Sequence, residues 1–365
     1  MTQATGPLAG VKILEIAGIG PGPLAGMMLS DMGADVLRVE RKGGTGFAGI
    51  FVDERGRTKI ELDFKKPEDI EYCLKLAESA DVIFEGFRPG VMERLGLGPE
   101  VVLKRNPKIV YGRMTGWGQD GPYAQMAGHD MNYLALSGAL FNIGPKEKPV
   151  PPLNLIGDYG GGGVMLVVGI LAAVISARST GKGQVVDAAM CDGVNVLMAI
   201  FHGMRHAGQF TDGRGTGMLN GGLPFYDTYE CKDGEFVSIG SIEPQFYAAL
   251  LEKTGLAEEF KGRPQMDPKT WADLRPRLTE IFKGKTRDEW SAIMEGSDCC
   301  FAPILKLSEA YDHPHAKARG AFVEIDGIKQ PAPAPRFSET PSAVRWGITK
   351  PRPDVEAAVA EWLAP

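Results

Sequence analysis

The stretch Val11-Lys12-Ile13-Leu14-Glu15-Ile16, then the turn Gly18-Ile19-Gly20-Pro21-Gly22-Pro23, a helical run from Leu24 to Met32 and Ala34-Asp35-Val36-Leu37-Arg38-Val39-Glu40, decides the fold. An apolar run, a breaker, a helix-length segment and a second apolar run make a β-α-β unit, in which parallel strands need a helical crossover. The turn comes close to a G-x-G-x-x-G dinucleotide pattern, with Glu40 about twenty residues on. Position 23 of that register is proline rather than the third glycine. Pro21 and Pro23 also remove two N–H donors that a pyrophosphate would use, so nicotinamide binding is not expected.

The alternation continues outward. Thr58 to Leu62 reads as a strand, Pro67 to Ser79 as a helix, and Asp81 to Phe84, Lys108 to Tyr111 and Gln184 to Ala189 as further strands. This is the α/β class: a parallel sheet covered by helices on both faces, with ligands at the carboxyl ends of its strands. From Pro224 the pattern changes. Phe225 to Cys231, the turn Lys232-Asp233-Gly234 and Phe236 to Ile239 make a hairpin, which suits a smaller α+β domain. Ser241-Ile242-Glu243-Pro244 opens a helix with proline at its first position, and Thr286-Arg287-Asp288-Glu289 is a capping box. Pro331-Ala332-Pro333-Ala334-Pro335 is a stiff connector that returns the chain to the first domain. The expected division is therefore 1–190 with 331–365 as the large domain, 191–223 as a connecting helical segment and 224–330 as the small domain.

The 365 residues, 44% hydrophobic and 24% charged, have the composition of a globular protein of two domains. A net charge of −6 gives no basic footprint, so neither nucleic acid nor an anionic membrane is an expected partner. Cys73, Cys191, Cys231, Cys299 and Cys300 are odd in number and lack a metal-type C-x-x-C, so reduced thiols in a cytoplasmic setting are expected, with Cys299-Cys300 as buried packing. Residues 1–10 carry no secretory or transit pattern, and Leu363-Ala364-Pro365 is no peroxisomal address. The apolar run Val164 to Ile175 is shorter than the about 20 residues of a membrane span. His202 and His206 are four apart but have no third ligand, and no metal is expected.

Two proton-active groups stand in glycine-rich settings. Asp158, in Gly157-Asp158-Tyr159-Gly160-Gly161-Gly162-Gly163, precedes an apolar helix expected from Val164, whose N-terminus would favour a carboxylate or a developing oxyanion. His129, in Gly128-His129-Asp130, is a base suited to neutral pH. The plain alternatives are an N-cap and a surface histidine. Arg41, Lys42, Arg55, Arg57, Lys65, Lys66, Arg88 and Arg94 gather on loops after the strands and suggest a phosphorylated small molecule. Arg88, between Gly86 and the Pro89-Gly90 turn, stands out. Met126, Met131, Met218, Leu219 and Leu223 suit either an adaptable apolar site or ordinary core.

Ala17-Gly18-Ile19-Gly20-Pro21-Gly22-Pro23, Glu85-Gly86-Phe87-Arg88-Pro89-Gly90, Gly112-Arg113-Met114-Thr115-Gly116-Trp117-Gly118, Gly128-His129-Asp130 and Asn154-Leu155-Ile156-Gly157-Asp158 together resemble the family III CoA-transferase superfamily. Within it the chain is most similar to the branch that inverts the α-carbon of 2-methyl-branched acyl-CoA thioesters. The resemblance extends to Ile242-Glu243-Pro244-Gln245-Phe246-Tyr247 and Pro335-Arg336-Phe337-Ser338. It implies a Rossmann-like large domain built from both chain ends, a small domain between them and an interlocked homodimer. It further implies that His129 and Asp158 transfer protons and that Glu243 pairs with the histidine. The implied CoA contacts are Arg41, Leu62, Asp63, Phe64, Lys65, Gly86, Phe87, Arg88, Arg94, Gly128, Asp130, Met131, Asn132 and Tyr133. The acyl-CoA is then the substrate, and neither cofactor nor metal is implied. Such chemistry needs a base on one face of the carbon and an acid on the other, passing through an enolate. The Asp158 N–H is an expected donor to the enolate oxygen, and burial is expected to keep the Asp158 carboxyl protonatable. The alternative within the superfamily is CoA transfer between carboxylic acids, with Asp158 attacking the thioester; the transferases generally lack a histidine at the position of His129.

Overall fold

The structure, a computed structural model, describes residues 5–43 and 51–364. Strands β1 (Lys12–Ile16), β2 (Asp35–Arg41), β3 (Thr58–Leu62), β4 (Val82–Glu85), β5 (Val110–Thr115) and β6 (Gln184–Ala189) form one parallel sheet in the order β3-β2-β1-β4-β5-β6. The order reverses between β1 and β4, and a crevice opens above the carboxyl ends of those two strands. The central strands are largely apolar because both faces are covered, the buried charges Glu15, Arg38, Glu85 and Arg113 being the exceptions. Ile13, Val36, Val82 and Val110 pack with Ala25 and Leu29 of helix Pro21–Asp31 and with Leu166, Ile170 and Val174 of helix Met165–Thr180. On the other face Leu14, Leu37, Ile83 and Tyr111 meet Leu74 and Leu76 of helix Pro67–Glu78 and Trp362 of helix Val355–Leu363. Trp362 Nε1 donates to the Leu76 carbonyl at 3.0 Å, which ties the chain's last helix to its first domain.

The chain divides into two compact units, Met1–Ala139 with Pro152–Ile200 and His315–Pro365, and Leu140–Pro151 with Phe201–Pro314. In the second unit β7 (Tyr226–Glu230), β8 (Phe236–Gly240) and β9 (Phe301–Pro303) make an antiparallel sheet over a core containing Phe225, Val237, Leu250, Leu278, Phe282 and Trp290. Pro244 is the first residue of helix Pro244–Thr254. The Thr286 capping box forms, with Thr286 N–H donating to Glu289 at 2.7 Å.

These boundaries differ from the expected ones in three places, the first being that the expected connecting segment 191–223 is no separate piece but divides between the two units after Ile200. The hairpin of β10 (Phe322–Ile325) and β11 (Ile328–Pro331) groups with the first unit, because buried Arg55 donates to Gln330 Oε1 at 2.8 Å and to the Pro331 carbonyl at 2.7 Å. Residues 140–151 group with the second, where Arg214 donates to the carbonyls of Phe141, Pro145 and Lys146.

Arg55 and Arg57 are not presented to a ligand as expected. Arg55 pairs with Asp31 at 2.6 Å, and Arg57 with Glu15 at 3.0 Å, all four being buried. Arg38 takes the other oxygen of Glu15 and reaches the Gly18 carbonyl, while Arg57 donates to the Pro23 carbonyl. Carbonyls that the proline-rich turn cannot satisfy within itself are thus met from below, and the turn is held in place. Cys299 is buried as expected, but its neighbour Cys300 is exposed.

The largest departure concerns the central helix. Instead of starting near Val164, it begins at Leu155 with a π-helical segment, Leu155–Val164, and passes into Met165–Thr180. The glycine run is therefore inside the helix. At 26 residues, Leu155–Thr180 is long and apolar enough to cross a membrane by length and composition, where the shorter run was expected to fall short. Its buried side chains, Leu166, Val167, Ile170, Ala173, Val174 and Ala177, belong to the core of the parallel-sheet unit.

Candidate active site

Above the β1/β4 switch lies a cavity of about 460 Å³. Its wall comes from Ile19, Gly20 and Pro21 after β1, Gly86 to Pro89 after β4, Met114 to Trp117 at the end of β5, Ala124 and Met126 to His129, then Tyr133, Asp158 and Met190.

His129 enters as the N-cap of helix Asp130–Leu136, in extended backbone conformation. Its N–H donates to Asn132 Oδ1 at 3.0 Å and its carbonyl accepts the Asn132 N–H at 2.8 Å. The main chain is fixed by this exchange while the residue stays exposed on the cavity wall. Beneath it Tyr133 donates to the Gly128 carbonyl and sets its ring edge-on to Trp117, centroids 4.7 Å apart. A Cβ at Gly116 would overlap the Tyr133 ring, and one at Gly128 would come within 2.8 Å of it, which explains the two glycines.

Asp158 enters from the π-helical turn. A π-helix widens the backbone, and the glycines let neighbouring chain come closer than any side chain would allow. A Cβ at Gly161 would meet the Val194 nitrogen at 2.9 Å, and one at Gly163 the Pro21 carbonyl at 2.8 Å. At Gly157 it would lie 2.5 Å from Asp130 Oδ1. That oxygen accepts the Asp158 N–H at 2.7 Å, while Asp130 Oδ2 is buried without a hydrogen-bond partner. The Asp158 N–H expected to serve an enolate is consequently already engaged. The Asp158 carboxyl faces Gly20, whose Cβ would stand 3.4 Å from Oδ2; the turn's left-handed φ of 72° also calls for glycine there.

Burial raises the pKa of Asp158 above the usual carboxylate range, and the negative charge of Asp130 adds to it. The His129 charge and a hydrogen bond from Asn154 act in the opposite direction. A half-buried carboxyl whose pKa is raised thus shares a cavity, and an electrostatic interaction, with an imidazole. Such a pair can remove a proton from carbon and return one.

Of the other expected residues, Gly86, Phe87, Arg88, Gly128 and Tyr133 line the cavity. Asp130 is buried, its carboxylate turned to the Asp158 N–H. Arg41, Leu62, Asp63, Phe64, Lys65 and Arg94 lie outside the wall; Arg41 and Leu62 pair at the carboxyl ends of β2 and β3. Met131 and Asn132 are exposed on helix Asp130–Leu136. Glu243 is the exposed N-cap of helix Pro244–Thr254 in the second unit. Met126 lines the cavity, whereas Leu223 is core of the second unit, with Met218 packed against it and Leu219 half-buried. Sequence reasoning missed Ile19 to Pro21, Met114 to Trp117 and Met190 as wall. The broken G-x-G pattern at the end of β1 was the available signal, since loops after strands at a switch point line the crevice whatever they bind. Among the described residues, no three His, Cys, Asp or Glu side chains converge as metal ligands do.

The family profile described as CoA-transferase family III matches residues 8–355. Alpha-methylacyl-CoA racemase of Mus musculus is 44% identical over 339 residues, covering 92% of this chain and 87% of that protein. The Homo sapiens protein of the same name is 41% identical with the same coverage. Among solved structures, a CaiB/BaiF family protein from Brucella suis superposes with a TM-score of 0.82 at 26% identity, covering 99% of this chain and 100% of that one.

Proposed function

The chain belongs to CoA-transferase family III, and from that premise we propose that it is an α-methylacyl-CoA racemase, inverting the α-carbon of 2-methyl-branched acyl-CoA thioesters by 1,1-proton transfer. The observation that carries this is the presence of His129 and Asp158 on the wall of one cavity, with the Asp158 pKa raised. In one direction neutral His129 takes the α-proton and protonated Asp158 delivers another to the opposite face of the enolate. In the other direction the Asp158 carboxylate and the imidazolium exchange these tasks. An acid whose pKa burial has raised is better matched to a carbon acid than an ordinary carboxylate. With the Asp158 N–H engaged and the Asn132 N–H held by the His129 carbonyl, the enolate oxygen takes its hydrogen bond from the Asp130 or Met131 N–H in the first turn of helix Asp130–Leu136.

Gly86, Phe87 and Arg88 hold the CoA moiety, with Arg41, the Leu62 to Lys65 turn and Arg94 further along it. No cofactor takes part. The protein acts in the cytoplasm as a homodimer in which Glu243 of one copy pairs with the His129 ring of the other. Support for a second copy comes from the apolar side chains that the first unit leaves exposed, Leu155, Val168, Ile175, Val196 and Ile200 among them.

The test supplies one α-epimer of a 2-methylacyl-CoA, without any acceptor acid, and follows the configuration of the acyl α-carbon. Appearance of the other epimer, lost in His129→Ala, supports racemisation. CoA transfer to an added carboxylic acid, with an adduct trapped on Asp158 and retained activity in His129→Ala, supports the transferase chemistry instead.

A further inference from the structure

One buried carboxylate beside the cavity has no part in the proton transfer. Glu85 ends β4 and immediately precedes Gly86, Phe87 and Arg88, three residues of the cavity wall. It is 1% exposed. Its Oε2 accepts the Phe87 N–H at 2.7 Å, and its Oε1 accepts from Arg113 Nε at 3.3 Å. Arg113, its cross-strand neighbour on β5, reaches on to Glu93 with Nη1 at 2.8 Å and Nη2 at 3.3 Å. Glu93 lies on the short helix Val91–Arg94 that follows the same turn. A single guanidinium therefore holds both the entry and the exit of the segment from Gly86 to Gly90. From the other side, Gln125 donates to the Pro89 carbonyl at 3.1 Å, linking this turn to the segment that leads into His129.

We infer that Glu85 is a positioning residue for thioester binding, its carboxylate setting the Phe87 N–H and, through Arg113 and Glu93, stapling the turn that presents Phe87 and Arg88 to CoA. This rests on the CoA-thioester function proposed above.

Burying a carboxylate costs free energy that a purely apolar strand end would avoid, so a paired one here serves the geometry of the turn. The staple also has a pH dependence. Burial pushes Glu85 up to about 7, and the charge of Glu93 adds to it, while the Phe87 N–H and the Arg113 guanidinium act against it. The groups facing it are Arg113 and Tyr111 from β5 and Glu93 from the helix, Tyr111 donating to the Leu97 carbonyl at 2.9 Å. Above that pH the carboxylate is ionised and the staple set. Below it Glu85 is neutral, the Arg113 ion pair is lost and the turn loosens.

Glu85→Gln keeps the shape and reproduces the neutral state. With free CoA as the probe in a calorimetric titration, it weakens binding about tenfold at about pH 8, or about 1.4 kcal/mol. The ratio of the two affinities shrinks toward one at about pH 6, because the wild type then carries the same neutral group. Taking the ratio at each pH cancels the titration of the ligand's own phosphate. In turnover, KM for the acyl-CoA rises by the same factor while kcat is unchanged. Glu93→Gln, at an exposed position that tolerates substitution, weakens CoA in the same direction by less, and it carries the test if Glu85→Gln does not fold. A pH-independent ratio, or CoA affinities equal to wild type in both variants, overturns the staple while leaving the proposed function in place. A wild type that binds no CoA removes both.

Discussion

Replacing Asp130 by Asn probes how the acid of the pair is tuned. The Asp130 carboxylate accepts the Asp158 N–H at 2.7 Å and, after burial, is the largest influence raising the Asp158 pKa. Asn offers a carbonyl of the same shape, so the backbone contact survives as a neutral hydrogen bond in place of a charge-assisted one, a difference of about 1 to 1.5 kcal/mol. If that difference is expressed in the transition state, kcat/KM falls about fivefold to tenfold, equally in both directions because the equilibrium between the epimers cannot change. Removing the negative charge also lowers the Asp158 pKa, which moves the acid limb of the pH–rate profile to lower pH. Asp130→Ala leaves the Asp158 N–H without any partner and adds a penalty of about 1 to 3 kcal/mol, for a total loss approaching hundredfold. The assay is racemisation rate against pH for the three proteins, with thermal melting to establish folding. An Asp130→Asn protein with wild-type rates and an unmoved acid limb would refute this role for Asp130.

Gly157→Ala places a Cβ 2.5 Å from Asp130 Oδ1 and forces that carboxylate aside, so kcat is expected to fall about tenfold or more with little change in KM. Arg55→Ala strands buried Asp31, whose pKa burial already raises against the pull of Arg55, and should destabilise the fold by about 3 to 5 kcal/mol in denaturant titrations. Thr286→Ala removes a surface capping box and should cost only about 1 kcal/mol by the same measurement, without effect on racemisation.

The parallel sheet was legible because its central strands are largely apolar and the strands are punctuated by Gly and Pro, and β3 and β6 begin and end where the pattern puts them. The capping box at Thr286 and the proline start at Pro244 are local rules, and local rules hold wherever tertiary contacts do not oppose them. The start of the central helix was not legible. Four glycines in a row read as a break, yet here they continue a π-helix because backbone from helices Pro21–Asp31 and Met190–Leu197 packs directly against them. Arg55 and Arg57 misled for a related reason: their position after strands suggested a ligand, and only the fold brings Asp31 and Glu15 beneath them. His129 and Asp158 could be picked out as chemistry-bearing residues in glycine-rich settings. Asp130's inward turn to the Asp158 N–H, and the Arg113 staple on Glu85, depend on contacts between distant segments that no spacing rule anticipates.

The most direct measurement follows the α-hydrogen itself. A 2-methylacyl-CoA is incubated with the protein in deuterated water, with no free carboxylic acid present, and its mass and stereochemistry are read together. A working His129–Asp158 pair incorporates one deuterium at the α-carbon as configuration is inverted, and the His129→Ala protein incorporates none. A thioester that keeps its hydrogen and its configuration, in a protein that binds CoA and passes it to an added carboxylic acid, contradicts proton transfer as the reaction of this site.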